Sequence, residues 1–469
     1  MNDEKKLREA SVAKLLLTMS LPVILVMTMN VIYNVADVFF MGRTGDTVQV
    51  AAVSLAGPVF TAISALNTLI GFGGCTAISI VLGTQNADPS HSLEEGFRES
   101  RKYSAFVVYS SLFLGAVILI ALLAGMSALL PLLGTDAQTA PYTRDYLTVL
   151  AIGAPWMLVG GAMGNTIRAD GDTKNAVIGA ISGNLVNILL DPILISVLRM
   201  GARGAAIATV AGNLVSCVWM LYAAHKKPAF SLSIRDFTLK KEVSLRVLSL
   251  GIPMAVGTLL MSFAGAFGNN LMARYGSTAI AARAVGGKVG MIVPMVIMGV
   301  CMGIQPAISY AYGMKLRTGD GSRLKSIVKG TGICSVLTGT ILSMILFLFR
   351  EQLVSAFITD PAVLPLGKTM LIGAIIVQPV YGIYQLSSTY LQAIGRVPEA
   401  TVTSLLRQGI VYIPVLYGME ALFGLTGLVY SSAVTDVIST VVALVIVSCM
   451  KKTSSKAGRE ASLSDRIAA

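Results

Sequence analysis

The fold class that this 469-residue sequence predicts is all-α: a polytopic membrane protein of about twelve transmembrane helices, folded as two parallel six-helix repeats. Three observations point there. Apolar stretches of roughly 20 residues, the length that crosses a hydrocarbon layer about 30 Å thick, recur along nearly the whole chain. Charge is scarce, with 54% of residues hydrophobic and 13% charged, where a soluble domain averages about 25% charged. The chain also repeats itself. Pro22 matches Pro253 at an offset of 231 residues, and Ala77, Ile78, Ser79 and Gly83 match Ala307, Ile308, Ser309 and Gly313 at 230. Pro155 and Gly171 match Pro379 and Gly395 at 224, Asp191 lies over Ile413 at 222, and Gly201 and Gly204 match Gly424 and Gly427 at 223. Many transporters have such a duplicated frame, and an even number of crossings per half makes the copies parallel rather than inverted.

The segments run at about 15–41, 49–82, 103–132, 145–168, 176–198, 204–224, 247–273, 279–311, 327–349, 364–394, 400–422 and 425–449. Segment 1 is longer than the apolar core of about 7–15 residues that a cleaved signal carries, and it holds Asn30, Asn34 and Asp37, so it stays as the first helix. Gly and Pro sit freely inside the later segments, as membrane helices permit. Residues 1–224 are read as an N-terminal six-helix lobe and 247–450 as its C-terminal counterpart. The basic, partly amphipathic connector at 225–246 is expected to form a cytoplasmic surface helix with a short linker. The polar tail at 451–469 is expected to be disordered.

The net charge of +12 does not indicate nucleic-acid binding. Of the 36 Lys and Arg, 26 fall in the N-terminus, the even-numbered loops and the tail, seven in the odd-numbered loops and three within helices. That bias is a topology signal, and it puts both termini in the cytoplasm. The expected surroundings are the bilayer of the cell membrane, with the protein as a monomer. The five cysteines all fall within or at the end of membrane segments without metal-ligand spacing and read as small apolar packers. His91 and His225 lie in cytoplasmic loops and form no cluster with acids. The Gly286-Gly287-Lys288 run is not a phosphate loop, because Val289 follows where Ser or Thr is required, so no direct drive by ATP is expected.

Polar residues of the first half line up at helical spacing. Asn30, Asn34 and Asp37 share one face of segment 1, Asn184, Asn187 and Asp191 one face of segment 5, and Thr209 and Asn213 one face of segment 6. At about 1.5 Å per residue, Asp191 lies roughly 25 Å past Lys174 and Thr209 roughly 9 Å past Arg203, so both fall in the outer half of the bilayer with Asp37. Pro192 cannot donate to the carbonyl of Ile188. Two carboxylates, an amide oxygen, a hydroxyl and a freed carbonyl suit Na⁺, and the same acid pair suits a proton, because neighbouring carboxylates in low dielectric resist double ionisation. An acid within a membrane segment is a functional residue by default.

In the second half, Met291, Met295, Met298 and Met302 form one face of segment 8, and such faces serve both core packing and adaptable binding surfaces. Gln378, Tyr381 and Tyr384 in segment 10 offer cation–π contact for an organic cation or, equally, a tie between two helices. Asp436 in segment 12 needs a partner, for which Arg407 and Lys288 are the candidates, and it is read as half of a structural ion pair. A membrane enzyme would need a concentrated catalytic set, and none is visible.

Together these features resemble the MATE (multidrug and toxic compound extrusion) family over about residues 10–450. The carriers are SLPV and NVADVFFMG in segment 1, RADGDTKNA after segment 4, NLVNILLDPILI in segment 5 followed by GARGAAIAT, and LQAIGRVPEA in the second half. The branch is that of the DinF-like and MepA-like prokaryotic exporters. The resemblance implies a cation-coupled (H⁺ or Na⁺) antiporter, not an enzyme, that exports hydrophobic, often cationic compounds. It implies no cofactor beyond the coupling ion, and a cation site at Asp37, Asn187, Asp191 and Thr209. Acids that the NorM-like branch carries in segments 7 and 10 are missing here. A lipid or glycolipid flippase of the same superfamily is the alternative.

Overall fold

The computed structural model describes residues 7–85, 93–356 and 363–468; for 34, 35, 38, 93–96 and 451–468 it describes the backbone alone. His91 and the side chain of Asn34 therefore lie outside the described residues. Every regular element among the described residues is helical. Among the described residues, ten helical stretches are long and apolar enough to cross a membrane, and the bent pair Leu364–Ile375 and Gln378–Ala393 makes an eleventh. The last stretch, Val397–Met450, is 54 residues long, about 80 Å at 1.5 Å per residue and so more than twice a bilayer core. Gly424, at φ 59°, breaks it into two crossings. The twelve predicted segments are thus accounted for.

The duplication is visible in the backbone. Gly45 and Gly276, Gly171 and Gly395, and Gly201 and Gly424 are matched pairs, and all six take positive φ, the region that only a residue without a Cβ enters at little cost.

The chain divides into two compact units. One comprises Met1–Ser262, Met302–Gly330 and Ala393–Gly395, and the other Phe263–Cys301, Thr331–Gln392 and Arg396–Ala469. The first unit contains all six segments of the first half together with parts of segments 7, 8, 9 and 10. Glycines bring these backbones together. A Cβ on Gly83 would strike the carbonyl of Tyr310, and one on Gly313 would strike the carbonyl of Ile80. Both members of the second pair are those of the first exchanged at the 230-residue offset, the reciprocal contact that a twofold relation produces. Small residues are what allow membrane helices such close approach. Gly83→Ala and Gly313→Ala are therefore expected to lower stability alike, by about 1–3 kcal/mol each, as overpacking does. Thermal unfolding in detergent checks this, and two unshifted transitions would refute the reading. This unit also has an apolar core, in which the fully buried Leu147, Leu150 and Leu158 share one cluster with Ile63 and Ala205.

The connector differs from its expectation. Between His225 and Lys241 only Ile234–Asp236 forms a helical turn, and Ser233 and Phe237 are extended. Pro228 lacks an N–H, and segment 3 (Leu93–Leu132) claims the backbone of the strap instead. Ser100 Oγ donates to the Ala229 carbonyl at 2.8 Å, Arg101 Nε to that of Pro228 at 2.7 Å, and Tyr109 OH to that of Leu232 at 2.8 Å. Phe237 stacks on Phe106 with ring centroids 6.3 Å apart. The tail also differs. The last helix continues to Ala468, where disorder was expected, because Ala, Lys, Arg and Glu in that stretch are good helix formers.

In the second unit, two apolar clusters bind the helices. Leu371, Ile375, Val293 and Ile297 lie in one, and Leu271, Met272, Leu416 and Leu428 in the other.

Candidate functional site

Three helices of the first unit assemble the predicted cation site. Leu21–Arg43 has a proline in its first turn, where the missing N–H is one of the helix's orphans anyway. Thr173–Asp191 is capped by the Asp172 side chain, which accepts from Asn175 N. It ends at Asp191, because Pro192 cannot continue the ladder and the chain widens into a π-helix over Pro192–Val197, a distortion frequent at functional positions. Gly201–His225 packs on that helix through Gly183 and Gly212, where a Cβ on either would lie 2.6 or 2.5 Å from the other's carbonyl oxygen. The close crossing sets Asn187 beside Thr209, with Nδ2 3.4 Å from the hydroxyl.

The acceptors at this place outnumber their donors. Asp191 is fully buried, and neither of its carboxylate oxygens meets a donor among the described residues. Asp37 Oδ1 and Asn187 Oδ1 are in the same position. Asp37, Asp191 and Tyr33 lie close enough for their charges to interact, and Tyr33 meets Thr209. Buried polar atoms nearly always find a partner, and hard cations take oxygen ligands. Oxygens that only accept, with two carboxylates among them, suit a cation or a donated proton.

The outlying members of the three stripes brace the site. Asn184 Nδ2 donates to Asn30 Oδ1 at 2.7 Å, and Asn213 Nδ2 to the Thr209 carbonyl at 2.8 Å. Asn30, Tyr33, Asn184, Asn187, Thr209 and Asn213 all line one cavity of about 430 Å³. Its wall also includes Asn67, Asn165, Arg168 and Met302. Sequence reasoning missed Tyr33, which sits four residues before Asp37 on the face already identified, and it missed Arg168, the last residue of segment 4, where an arginine reads as a residue of the boundary with the loop.

Where the chain leaves the membrane, Asp170 and Asp172 share Lys227 at 2.6 and 2.9 Å. Burial opposes the Asp172 charge, yet the Asn175 backbone N–H and Lys227 hold its carboxyl below the ordinary carboxylate range. Burial likewise disfavours the Lys227 charge, and Asp170 above all raises it beyond its usual value.

In the second unit the buried acid Asp436 is paired. Arg407 Nε donates to Asp436 Oδ1 at 2.7 Å, so of the two candidate partners it is Arg407 that Asp436 meets; Lys288 is exposed. Arg407 sits at a π-turn, Leu406–Ile410. Its guanidinium carbon lies 4.6 Å from the Tyr381 ring centroid and 5.3 Å from that of Tyr384. Both tyrosines are buried, with Tyr381 OH donating to Gln385 Oε1 and Tyr384 OH to the Thr403 carbonyl. Gln378 Nε2 donates to the Ala374 carbonyl at 2.6 Å. Here the aromatic pair takes the protein's own cation. Of the methionine face, Met291 is exposed, Met295 and Met298 are half-buried in this unit, and Met302 belongs to the first unit's cavity. Gly268, the counterpart of Asp37, is equally telling. A Cβ there would strike an Arg283 guanidinium nitrogen, with Tyr412 OH 3.0 Å away, and Arg283 Nε donates to Asn269 Oδ1 at 3.1 Å. Where the first half has an acid, the second has the room an arginine fills.

The MatE family model matches residues 22–193 and again 253–417, two blocks whose starts lie 231 residues apart, the same offset that separates Pro22 from Pro253. The chain belongs to the MatE family. Among its relatives is the multidrug export protein MepA of Staphylococcus saprophyticus, 30% identical over 94% of each chain. MATE in the bent conformation has the same fold, with a TM-score of 0.85 at 22% identity, covering 97% of this chain and 99% of that one. The Vibrio cholerae MATE transporter VcmN in the bent form superposes with a TM-score of 0.82 at 21% identity, covering 93% and 96%. As a MatE protein, this chain is a multi-pass membrane transporter.

Proposed function

We propose that this MatE protein is a cation-coupled antiporter that exports hydrophobic, often cationic small molecules across the cell membrane in exchange for H⁺ or Na⁺, as a monomer with both termini in the cytoplasm. The observation that carries the reading is Asp191, a fully buried carboxylate without a donor among the described residues, set beside Asp37 and Asn187. A charge so placed is costly unless neutralised, so a cation or proton held there is worth most when the site is closed to water. If substrate binding favours the state in which that cation is released, the two fluxes are coupled, because a ligand shifts an equilibrium only through differential affinity for its two states. The MepA relative, a multidrug export protein, supports the substrate class. The basic bias of the even-numbered loops supports the orientation.

The test is substrate movement in proteoliposomes under an imposed proton or sodium gradient, each alone. One of the two is expected to drive transport, and transport that ignores both would overturn the proposal. Asp37→Asn keeps the size of the side chain and removes its charge. It is expected to abolish gradient-driven export at normal membrane abundance, whereas export at the wild-type rate would reduce Asp37 to an interfacial cap.

A further inference from the structure

Arg168 is a buried cation without an acid among the described residues. Its side chain stands at the end of segment 4, with the residue only 5% exposed, and lines the first unit's cavity. One guanidinium nitrogen donates to Asn165 Oδ1 at 2.7 Å, the ring of Phe72 lies 5.4 Å away, and Nε has no acceptor among the described residues. The nearest acids in sequence, Asp170 and Asp172, are both taken by Lys227. A buried charge is ordinarily paired, and an arginine carries five donors in a planar fork that matches a carboxylate. Asn165 supplies one neutral acceptor, which leaves most of that fork unmatched. The wall of the same cavity includes three glycines, Gly160, Gly161 and Gly164, and the methionines Met220 and Met302. Room, apolar surface and one unsatisfied cation coexist in the cavity that Asn187 and Thr209 also line.

We propose that Arg168 is a recognition site for the carboxylate of an amphipathic organic ligand, an organic acid or the acid arm of a zwitterion. The apolar body of the ligand lies along the methionines and glycines, and its carboxylate meets the guanidinium edge. In a zwitterion, the amine then points toward the acids of segments 1 and 5. This deepens the export reading by naming a substrate feature, and it rests on that reading only for its role in transport; binding itself is separate.

Rhodamine 110 and its methyl ester rhodamine 123 differ at the carboxyl group alone. Purified full-length protein in detergent, titrated with each dye by fluorescence anisotropy, reads the contribution of that group. Wild type is expected to bind rhodamine 110, and Arg168→Gln to lower the ratio of rhodamine 110 to rhodamine 123 affinity by roughly tenfold or more, as loss of a charge-assisted hydrogen bond does. Arg168→Lys should fall between, since an ammonium keeps the charge without the fork. An unchanged ratio in a folded variant, or no rhodamine 110 binding by wild type, overturns the assignment. A second arm needs no variant: benzoate should displace rhodamine 110 from wild type, and chloride at equal ionic strength should not. Equal displacement by the two salts counts against a carboxylate site. Failure of the export reading looks different, because rhodamine 110 would then bind yet show no gradient-driven movement.

Discussion

Asp191→Asn is expected to abolish gradient-driven export while leaving the protein as stable as wild type or more so. The side chain is fully buried, and neither oxygen has a partner among the described residues to lose. Removing its charge relieves a desolvation cost, so the substitution follows the common pattern in which a functional group is held at the expense of stability. Transport fails for a different reason: a neutral amide cannot exchange a coupling cation or a proton, and the driving gradient loses its handle. The neighbours contribute less. Asn187→Ala and Thr209→Ala each remove one neutral ligand and keep both carboxylates, so they should weaken efflux without ending it. Drug efflux from cells at matched membrane abundance, with thermal unfolding of the purified variants, checks the whole set. An Asp191→Asn protein that unfolds early and is merely scarce would mean that the acid serves packing.

The second large effect is expected on stability rather than transport. Asp436 is nearly buried, and its Oδ1 takes the Arg407 Nε at 2.7 Å. Breaking a buried pair from one side leaves an uncompensated charge and typically costs about 3–5 kcal/mol. Asp436→Asn keeps one acceptor oxygen, so it should fall at the low end of that range, with Asp436→Ala above it. Replacing both partners, as in Arg407→Met with Asp436→Leu, removes both charges and should restore most of the loss, since an apolar substitute for a buried pair is often neutral. Thermal unfolding of the two single variants and the double variant is the check. A double variant as stable as wild type but unable to transport would assign the pair to substrate handling.

Much of this was legible in the residues. The class follows from scarce charge and long apolar runs, and the duplication from glycines and prolines at fixed offsets, because those residues mark backbone positions that admit few alternatives. The acids and amides of segments 1, 5 and 6 could be placed on shared faces from helical periodicity. Three features were not legible. Tyr33 reads as an interfacial aromatic until its proximity to Thr209 is seen. Arg168 lies at a segment boundary, where an arginine is ordinarily solvated, and only the fold turns it into the cavity. The connector has the charge pattern of a surface helix, but hydrogen bonds from Ser100, Arg101 and Tyr109 outweigh its weak local preference. For Tyr33 and the connector a partner more than 100 residues away decides, and spacing along the chain does not reveal such a partner.

The central claim is that the two halves share a fold and divide the work, with the coupling cation handled by the first. Its most direct test is substrate uptake into proteoliposomes, per folded protein, under a proton gradient alone and a sodium gradient alone, for wild type, Asp191→Asn and Asp436→Asn. The account predicts that Asp191→Asn is indifferent to the gradient that drives wild type, while Asp436→Asn, though less stable, keeps that dependence. Full gradient dependence in Asp191→Asn together with its loss in Asp436→Asn would contradict it.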